Sequence, residues 1–160
     1  MAIEKLLKLG SPILHKFSEP FSENEIQFAI DTANELKTIL NECNLAYGFG
    51  RAIAAPQIGV LKRLIFAKIF DKELIIINPT LSNFSKETFE VWDDCLSFPN
   101  LLVKVIRYKK STLTYYDENW EQLTMILEDS ESELLQHEFD HLDGILATQR
   151  AIDSLSFKLK

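Results

Sequence analysis

The segment His137–His141 (HEFDH) is the feature that most restricts how this chain of 160 residues can fold. Two histidines four positions apart lie on one face of an α-helix, one turn from each other, where they can share a tetrahedral metal ion. Ser130 with Glu133 has the pattern of a capping box, and Gly144 suits the left-handed residue that ends a helix. The sequence therefore predicts a metal-binding helix over about residues 130–143.

A second helix and a series of strands precede this segment. Ser22 and Glu25 form another capping-box pattern, and the apolar residues after them recur at helical spacing, which predicts an amphipathic helix over about 23–42. The Gly-, Ala- and Pro-rich stretch Gly48–Gly59 predicts a loop. Strand-like runs, rich in β-branched and aromatic residues, cover 63–70, 74–78, 89–92, 101–108, 111–116 and 123–127.

This order of elements indicates the fold class. A helix, then many strands joined by short turns, then a helix is an α+β order and not an alternating βαβ order. We therefore predict mostly antiparallel β-sheets around a central C-terminal helix, with an N-terminal helix, in a single domain of residues 1–160. A chain of this length can bury enough apolar surface to form its own core.

Composition narrows the class of function. The formal net charge is −7, which argues against a broad electrostatic grip on nucleic acid. We expect no signal peptide and no membrane span, because no long apolar run occurs, and this favours a cytoplasmic location. In a reducing compartment Cys43 and Cys95 are better interpreted separately, as a core residue, a nucleophile or a metal ligand, than as a disulfide.

The two histidines need a third ligand if the site is catalytic, with one position left for water. The place of a third histidine in the extended zinc-protease pattern holds Ala147, and no glutamate follows Glu138. The remaining donors are His15, Cys43, Cys95 and upstream carboxylates. We favour Cys95, because it lies in a turn-like stretch after a strand, whereas Cys43 follows the apolar stripe of the first helix as a core residue does. His15 stands alone in the N-terminal arm.

Three segments together resemble the motifs of peptide deformylases, in the family's order. They are Gly50–Gly59 (GRAIAAPQIG), Cys95–Ser97 (CLS) and Gln136–Gly144 (QHEFDHLDG). Smaller similarities occur at Leu9–Leu14, at Ile77–Pro79 and at Arg107, so the resemblance covers nearly the whole chain. It implies the peptide deformylase fold and a metal-dependent amide hydrolase.

The resemblance implies a ligand set and an ion. Cys95, His137 and His141 would hold one divalent metal ion, Fe²⁺ in the cell, with Zn²⁺, Ni²⁺ or Co²⁺ as substitutes in a purified sample. A thiolate ligand softens such a site, which favours Fe(II) or Zn(II) over Mg or Ca.

The resemblance also implies a reaction, the hydrolytic removal of the N-formyl group from a starting methionine. Glu138 would take a proton from the attacking water and then protonate the leaving amine. The side-chain amide of Gln57 and the backbone N–H of Leu96 would stabilise the oxyanion. The implied partners are N-formylated nascent peptides and a transient contact with the ribosome.

The residues expected on the substrate side include several departures from the family's usual pattern. Arg51 replaces an aliphatic residue, Ala52 replaces a glycine, and Asp93-Asp94 replaces Glu-Gly before the cysteine. Glu133 stands one turn before the first metal histidine, where the family tends to carry an apolar residue. The full set expected to contact substrate is Gly50, Arg51, Ala52, Ile53, Asp93 and Glu133.

These departures leave alternatives open. Arg51 and Glu133 both border the family's methionine pocket, and we hypothesise that they pair across it and weaken the preference for formyl-methionine. The competing interpretation gives Glu133 a purely structural duty in the capping box with Ser130. At the level of the whole chain, the alternative to an active deformylase is a catalytically weak or inactive metal-binding module with a binding or regulatory role. A zinc endoprotease is a third interpretation.

Overall fold

The computed structural model describes all residues, 1–160, as two α-helices and eight strands joined by turns and short 3₁₀ helices. The α+β class and the antiparallel pairing predicted from the sequence are confirmed. The elements are α1 (Ile26–Tyr47), β1 (Ala52–Ala54), β2 (Leu64–Ile69), β3 (Lys72–Ser82), β4 (Thr88–Asp93), β5 (Leu101–Tyr108), β6 (Lys110–Tyr116), β7 (Gln122–Glu128), α2 (Asp129–Leu142) and β8 (Phe157–Leu159).

Two antiparallel sheets surround the C-terminal helix. One has five strands in the order β1-β2-β3-β6-β7, and the other has three in the order β4-β5-β8. Helix α2 contacts strands of both sheets, so the prediction of a central C-terminal helix is confirmed. Helix α1 lies on the five-stranded sheet, where its buried face forms one core cluster with Leu64, Phe66 and Ile77.

Helix α1 begins as its sequence predicts and ends later. Ser22 N–H donates to Glu25 Oε1 at 2.9 Å, which confirms the capping box ahead of the helix. The prediction that the helix ends near residue 42 is wrong, because Cys43 continues its buried stripe and the helix runs to Tyr47. Gly48 then takes a left-handed conformation, with φ 77°. No helix in the protein has the length and apolar character to cross a membrane.

Helix α2 does not begin with the capping box that the sequence suggests. It starts at Asp129 after Glu128, and no side chain caps it. Ser130 Oγ donates to Glu131 Oε2 at 3.1 Å instead. The capping-box prediction for Ser130 and Glu133 is therefore wrong, and the physical reason is that another residue engages the Glu133 carboxylate. The end of the helix is as predicted, since Gly144 has φ 75°.

Each predicted strand is present in the structure, and the predictions are less accurate at the strand ends. The longest runs match within two residues, except that β3 continues past Asn78 to Ser82 through an irregularity in its pairing with β6. The structure corrects the loop predicted at Gly48–Gly59, which contains β1 as an edge strand of three residues. Strand β8 was also not predicted, and it pairs with β5.

Candidate metal centre and active site

Cys95, His137 and His141 meet in the interior, where α2 faces the loop that follows β4. The Nε2 atoms of the two histidines are 3.2 Å apart, and Cys95 Sγ lies 3.5 Å from His141 Nε2. All three ligand atoms lie within 4.8 Å of one another, and all three residues are buried. The other donors considered from the sequence lie elsewhere: Cys43 belongs to the core cluster under α1, and His15 is exposed.

These separations fit a tetrahedral ion. With metal–nitrogen bonds of about 2.0 Å and a metal–sulfur bond of about 2.3 Å, two nitrogen ligands lie about 3.3 Å apart and a nitrogen and a sulfur about 3.5 Å apart. The distances of 3.2 Å and 3.5 Å match that arrangement. One thiolate and two imidazoles are also the donor types that suit Fe(II) and Zn(II). The residues present therefore fit a metal ion.

A buried acid orients the first histidine. His137 Nδ1 lies 2.8 Å from Asp93 Oδ2, and since a carboxylate only accepts, Nδ1 donates this hydrogen bond and Nε2 is directed toward the cluster. The same Oδ2 accepts from Arg107 Nη2 at 2.8 Å, and Arg107 Nη1 donates to Asp140 Oδ2 at 2.9 Å. Arg150 binds Asp140 with two nitrogens, at 2.6 Å and 2.9 Å.

The groups expected to act on a substrate line the same region. The side chain of Glu138 is buried, and its Oε2 has no hydrogen-bond partner within the protein. Gln57 Oε1 accepts from Ala54 N–H at 2.9 Å, which directs Nε2 toward Ser97 Oγ at 3.1 Å and Cys95 Sγ at 3.7 Å. No backbone or side-chain acceptor in the protein takes the N–H of Leu96. The N–H of Leu96 and the carboxylate of Glu138 therefore remain available to a ligand, whereas a ligand would have to replace a present partner of Gln57 Nε2.

A cleft of about 300 Å³ opens onto the cluster. Five of the six residues expected on the substrate side line it: Gly50, Arg51, Ala52, Asp93 and Glu133. Ile53 does not, because alternate residues of a strand point to opposite faces and its side chain is buried in the core under α1. Substrate contact by Ile53 therefore stays a prediction, and its side chain does not supply that contact.

The changes beside the cysteine leave the site geometry intact. Asp94 stands where the family has glycine, yet it is not among the residues with positive φ, so no left-handed conformation is forced on it. Asp93 reaches His137 Nδ1 despite its shorter side chain. Its Oδ2 accepts from both His137 Nδ1 and Arg107 Nη2, which is the arrangement of a group that orients a metal ligand.

Burial and neighbouring charges shift the pKa values of the buried groups. Burial opposes ionisation of Asp93, but His137 and Arg107 bring the pKa of Asp93 down to about 2. Burial also opposes the charged form of His137, yet Asp93 and Cys95 hold its pKa well above the usual range. Burial raises the pKa of Glu138 to about 7, so this carboxyl can accept and release a proton near neutral pH.

Two residues of the site carried only a weak signal in the sequence. Arg107 is one of two charges in β5, with Lys104, and unlike Lys104 it lies in the buried register of the strand. Asp140 lies between the two histidines on α2. Arg107 is 3% exposed and joins Asp93 to Asp140. A cation within a strand whose neighbours are buried predicts a buried ion pair, but the identity of its two partners depends on the tertiary fold.

The class of protein follows from this frame and from comparison with known proteins. A buried cysteine and two histidines, with a glutamate beside the same cleft, fit a catalytic metal site that has three protein ligands and one open position. The sequence model of the polypeptide deformylase family matches residues 3–156. The chain therefore belongs to the polypeptide deformylase family, and its class is that of a hydrolase.

Individual relatives agree over nearly the whole chain. This chain is 35% identical to a peptide deformylase of Leptospira biflexa, in an alignment that covers 94% of this chain and 88% of the relative. The crystal structure of peptide deformylase from Thermotoga maritima superposes with a TM-score of 0.84 at 27% identity, covering 92% of this chain and 97% of that one. A Met-Ala-Ser-bound peptide deformylase from Acinetobacter baumannii gives a TM-score of 0.81 at 27% identity, covering 91% and 96%.

Proposed function

We propose that this protein is a metal-dependent peptide deformylase that hydrolyses the N-formyl group from N-formylmethionyl peptides. The observation that carries the proposal is the cluster of Cys95, His137 and His141 at tetrahedral ligand distances, with Glu138 beside it. The bound ion would polarise the formyl carbonyl and lower the pKa of water, so that hydroxide is available to attack the formyl carbon near neutral pH. The soft donor set supports Fe²⁺ as the ion used in the cell.

The residues of the chain would divide the remaining work. Glu138 would accept the proton of the attacking water at its carboxylate and return it to the leaving amine nitrogen. The Nε2 of Gln57 and the N–H of Leu96 would donate to the oxygen that becomes negative as the formyl carbon turns tetrahedral. Two such fixed donors in a buried site contribute several kcal/mol to catalysis.

The free edge of β1 supplies a place for the peptide backbone. β1 ends the five-stranded sheet, and Arg51 C=O accepts from Lys68 N–H at 2.7 Å, toward β2. Because successive residues alternate in an antiparallel ladder, the N–H and C=O of Ala52 point away from β2 and toward the cleft side. An extended peptide can add to such an edge as a further strand.

The place of action follows from the substrate. N-formylated peptides arise during protein synthesis, so we propose a cytoplasmic enzyme that acts on nascent chains during transient contact with the ribosome. Lys158 in β8 and Lys160 directly after it offer a small basic surface for such a contact. The alternative of an inactive binding module is not favoured, because every group needed for the chemistry is present and the relatives named above are deformylases.

The test is an anaerobic assay on formyl-Met-Ala-Ser with metal analysis of the same sample. The protein loaded with Fe²⁺ should release formate, and Glu138→Gln should lower kcat by about 100- to 10,000-fold while the metal content stays at one ion per chain. Glu131→Gln, about two turns away on α2, serves as the control and should retain activity. Absence of formate release by the metal-loaded wild type would overturn the proposed function.

A further inference from the structure

An ion pair forms part of the wall of the cleft beside the metal ligands. Arg51 Nη2 lies 2.7 Å from Glu133 Oε1, and Arg51 Nη1 donates to the carbonyl of Ser130 at 3.4 Å. Glu133 lies one turn before His137 on α2, so its carboxylate shares a face with the metal ligand. The hypothesis from the sequence that Arg51 and Glu133 pair with each other is confirmed.

The Glu133 carboxylate does not cap the start of α2. The helix begins without a side-chain cap, and Ser130 Oγ is engaged with Glu131. The Glu133 side chain is 13% exposed and that of Arg51 is 46% exposed, so the carboxylate is drawn into the cleft and the guanidinium covers it. Burial, and after it the charge of Asp93, raises the pKa of Glu133. An ionised carboxylate therefore costs free energy at this position, and we expect it to persist only where it serves a function.

Arg51 also separates the cleft from a second cavity. That cavity, of about 450 Å³, is lined by Arg51 and Ser130 together with charged residues of β2 and β3. Arg51 thus lines both spaces, so the side chain that separates them is charged and not apolar. Replacement of both Arg51 and Glu133 by isoleucine would make this part of the wall apolar.

A charged wall at this place selects among substrate side chains. The formyl carbon is bonded to the amide nitrogen, which is bonded to the first Cα, so the first side chain lies within a few bonds of the metal ligands. An apolar side chain placed against the pair removes water from both charges without replacing its hydrogen bonds, which costs free energy. A neutral amide or hydroxyl replaces those hydrogen bonds. A charged side chain is attracted by one partner of the pair and repelled by the other, so the two charges give it little net gain.

We propose that Arg51 and Glu133 are specificity determinants that make this enzyme favour N-formyl peptides with a neutral polar first side chain over those with methionine. The proposal rests on the proposed deformylase function and names the substrate class of the same site. In formyl-Gln peptides the amide NH₂ can donate to Glu133 and the amide oxygen can accept from Arg51, so one side chain satisfies both partners. The thioether of methionine offers only a weak acceptor.

The test compares kcat/KM on formyl-Gln-Ala-Ser and formyl-Met-Ala-Ser for Fe²⁺-loaded enzyme under anaerobic conditions. Wild type should cleave the glutamine peptide at least as efficiently as the methionine peptide. The double variant Arg51→Ile/Glu133→Ile should raise the Met-to-Gln ratio of kcat/KM by about ten-fold or more. Glu131→Gln, which changes a neighbouring carboxylate outside the pair, should leave the ratio at the wild-type value.

The outcomes separate this inference from the proposed function. If wild type cleaves neither peptide, the deformylase function itself fails. If wild type cleaves both and prefers the methionine peptide, the specificity proposal is overturned whether or not the double variant folds. If the double variant is folded, retains its metal and keeps the wild-type ratio, the proposal is likewise overturned, because the pair then does not set the preference.

Discussion

The carboxylate of Asp93 contacts His137 and Arg107 through the same oxygen atom, Oδ2. Its neighbour Asp94 has the same side chain and a different environment, with one exposed contact to Lys160 at 3.2 Å. Two adjacent aspartates therefore differ in burial and partners and not in chemistry. This difference allows the role of Asp93 in holding the metal ligand to be measured against an internal control.

We predict that Asp93→Asn weakens zinc binding by about 10- to 100-fold, because the amide no longer fixes the His137 tautomer and ring orientation as strongly as a carboxylate. Competition with a chromophoric chelator measures the affinity directly. Asp94→Asn should bind zinc with the wild-type affinity. Equal affinities for wild type and Asp93→Asn would show that the geometry of α2 alone positions the imidazole.

At the scale of single elements, the end of α2 shows how closely two segments approach each other. A Cβ placed on Gly144 would lie 2.6 Å from both the carbonyl carbon and the carbonyl oxygen of His15. Gly48, at the end of α1, has nearly the same backbone angle, φ 77° against 75°, and no neighbour within 4 Å of such a Cβ. The two glycines therefore share the same conformational requirement, and only Gly144 has the added close contact.

We predict that Gly48→Ala destabilises the protein by about 1–2 kcal/mol, the cost of a left-handed conformation for a residue with a Cβ. Gly144→Ala should cost about 1–3 kcal/mol more, because the methyl group must displace the backbone of the N-terminal arm. Equilibrium unfolding in urea of the two variants and the wild type gives both values. Equal losses would mean that the arm moves away without cost.

The elements also show where sequence information is sufficient. Strand β5 was predicted with its observed bounds, since its alternation of buried and exposed residues is a local property. β1 was predicted as part of a loop, because a three-residue run carries no periodicity and only pairing with β2 makes it a strand. The Ser130–Glu133 pattern was predicted as a cap, and it failed because Arg51, 82 positions away, engages the carboxylate. That partner is invisible to any local pattern.

At the scale of the whole molecule, the metal cluster joins two parts of the fold. Cys95 belongs to the loop that leaves the three-stranded sheet, whereas His137 and His141 belong to α2. The sequence predicted this set through motif resemblance, and the three-dimensional contact itself depends on how α2 packs between the sheets. An ion that binds only the folded chain adds to its stability, by about 4 kcal/mol when its concentration is 1,000 times the dissociation constant.

The two cysteines provide a readout of this coupling that does not depend on activity. Cys43 is fully buried in the core under α1, and burial raises the pKa of its thiol, so it should resist thiol reagents while the protein is folded. Cys95 lines the cleft, and we predict that an ion on its sulfur protects it. The metal-loaded protein should therefore react slowly with 5,5′-dithiobis(2-nitrobenzoate).

Removal of the metal by a chelator should release one fast-reacting thiol per chain and lower the melting temperature. Peptide mapping should place the label on Cys95, and Cys43→Ser should leave the fast phase unchanged while Cys95→Ser removes it. A fast phase on Cys43 would show that the chelated protein has lost its core and not only its ion. An identical rate with and without chelator would contradict ligation by Cys95, since a thiolate bound to a metal cannot at the same time be a free nucleophile.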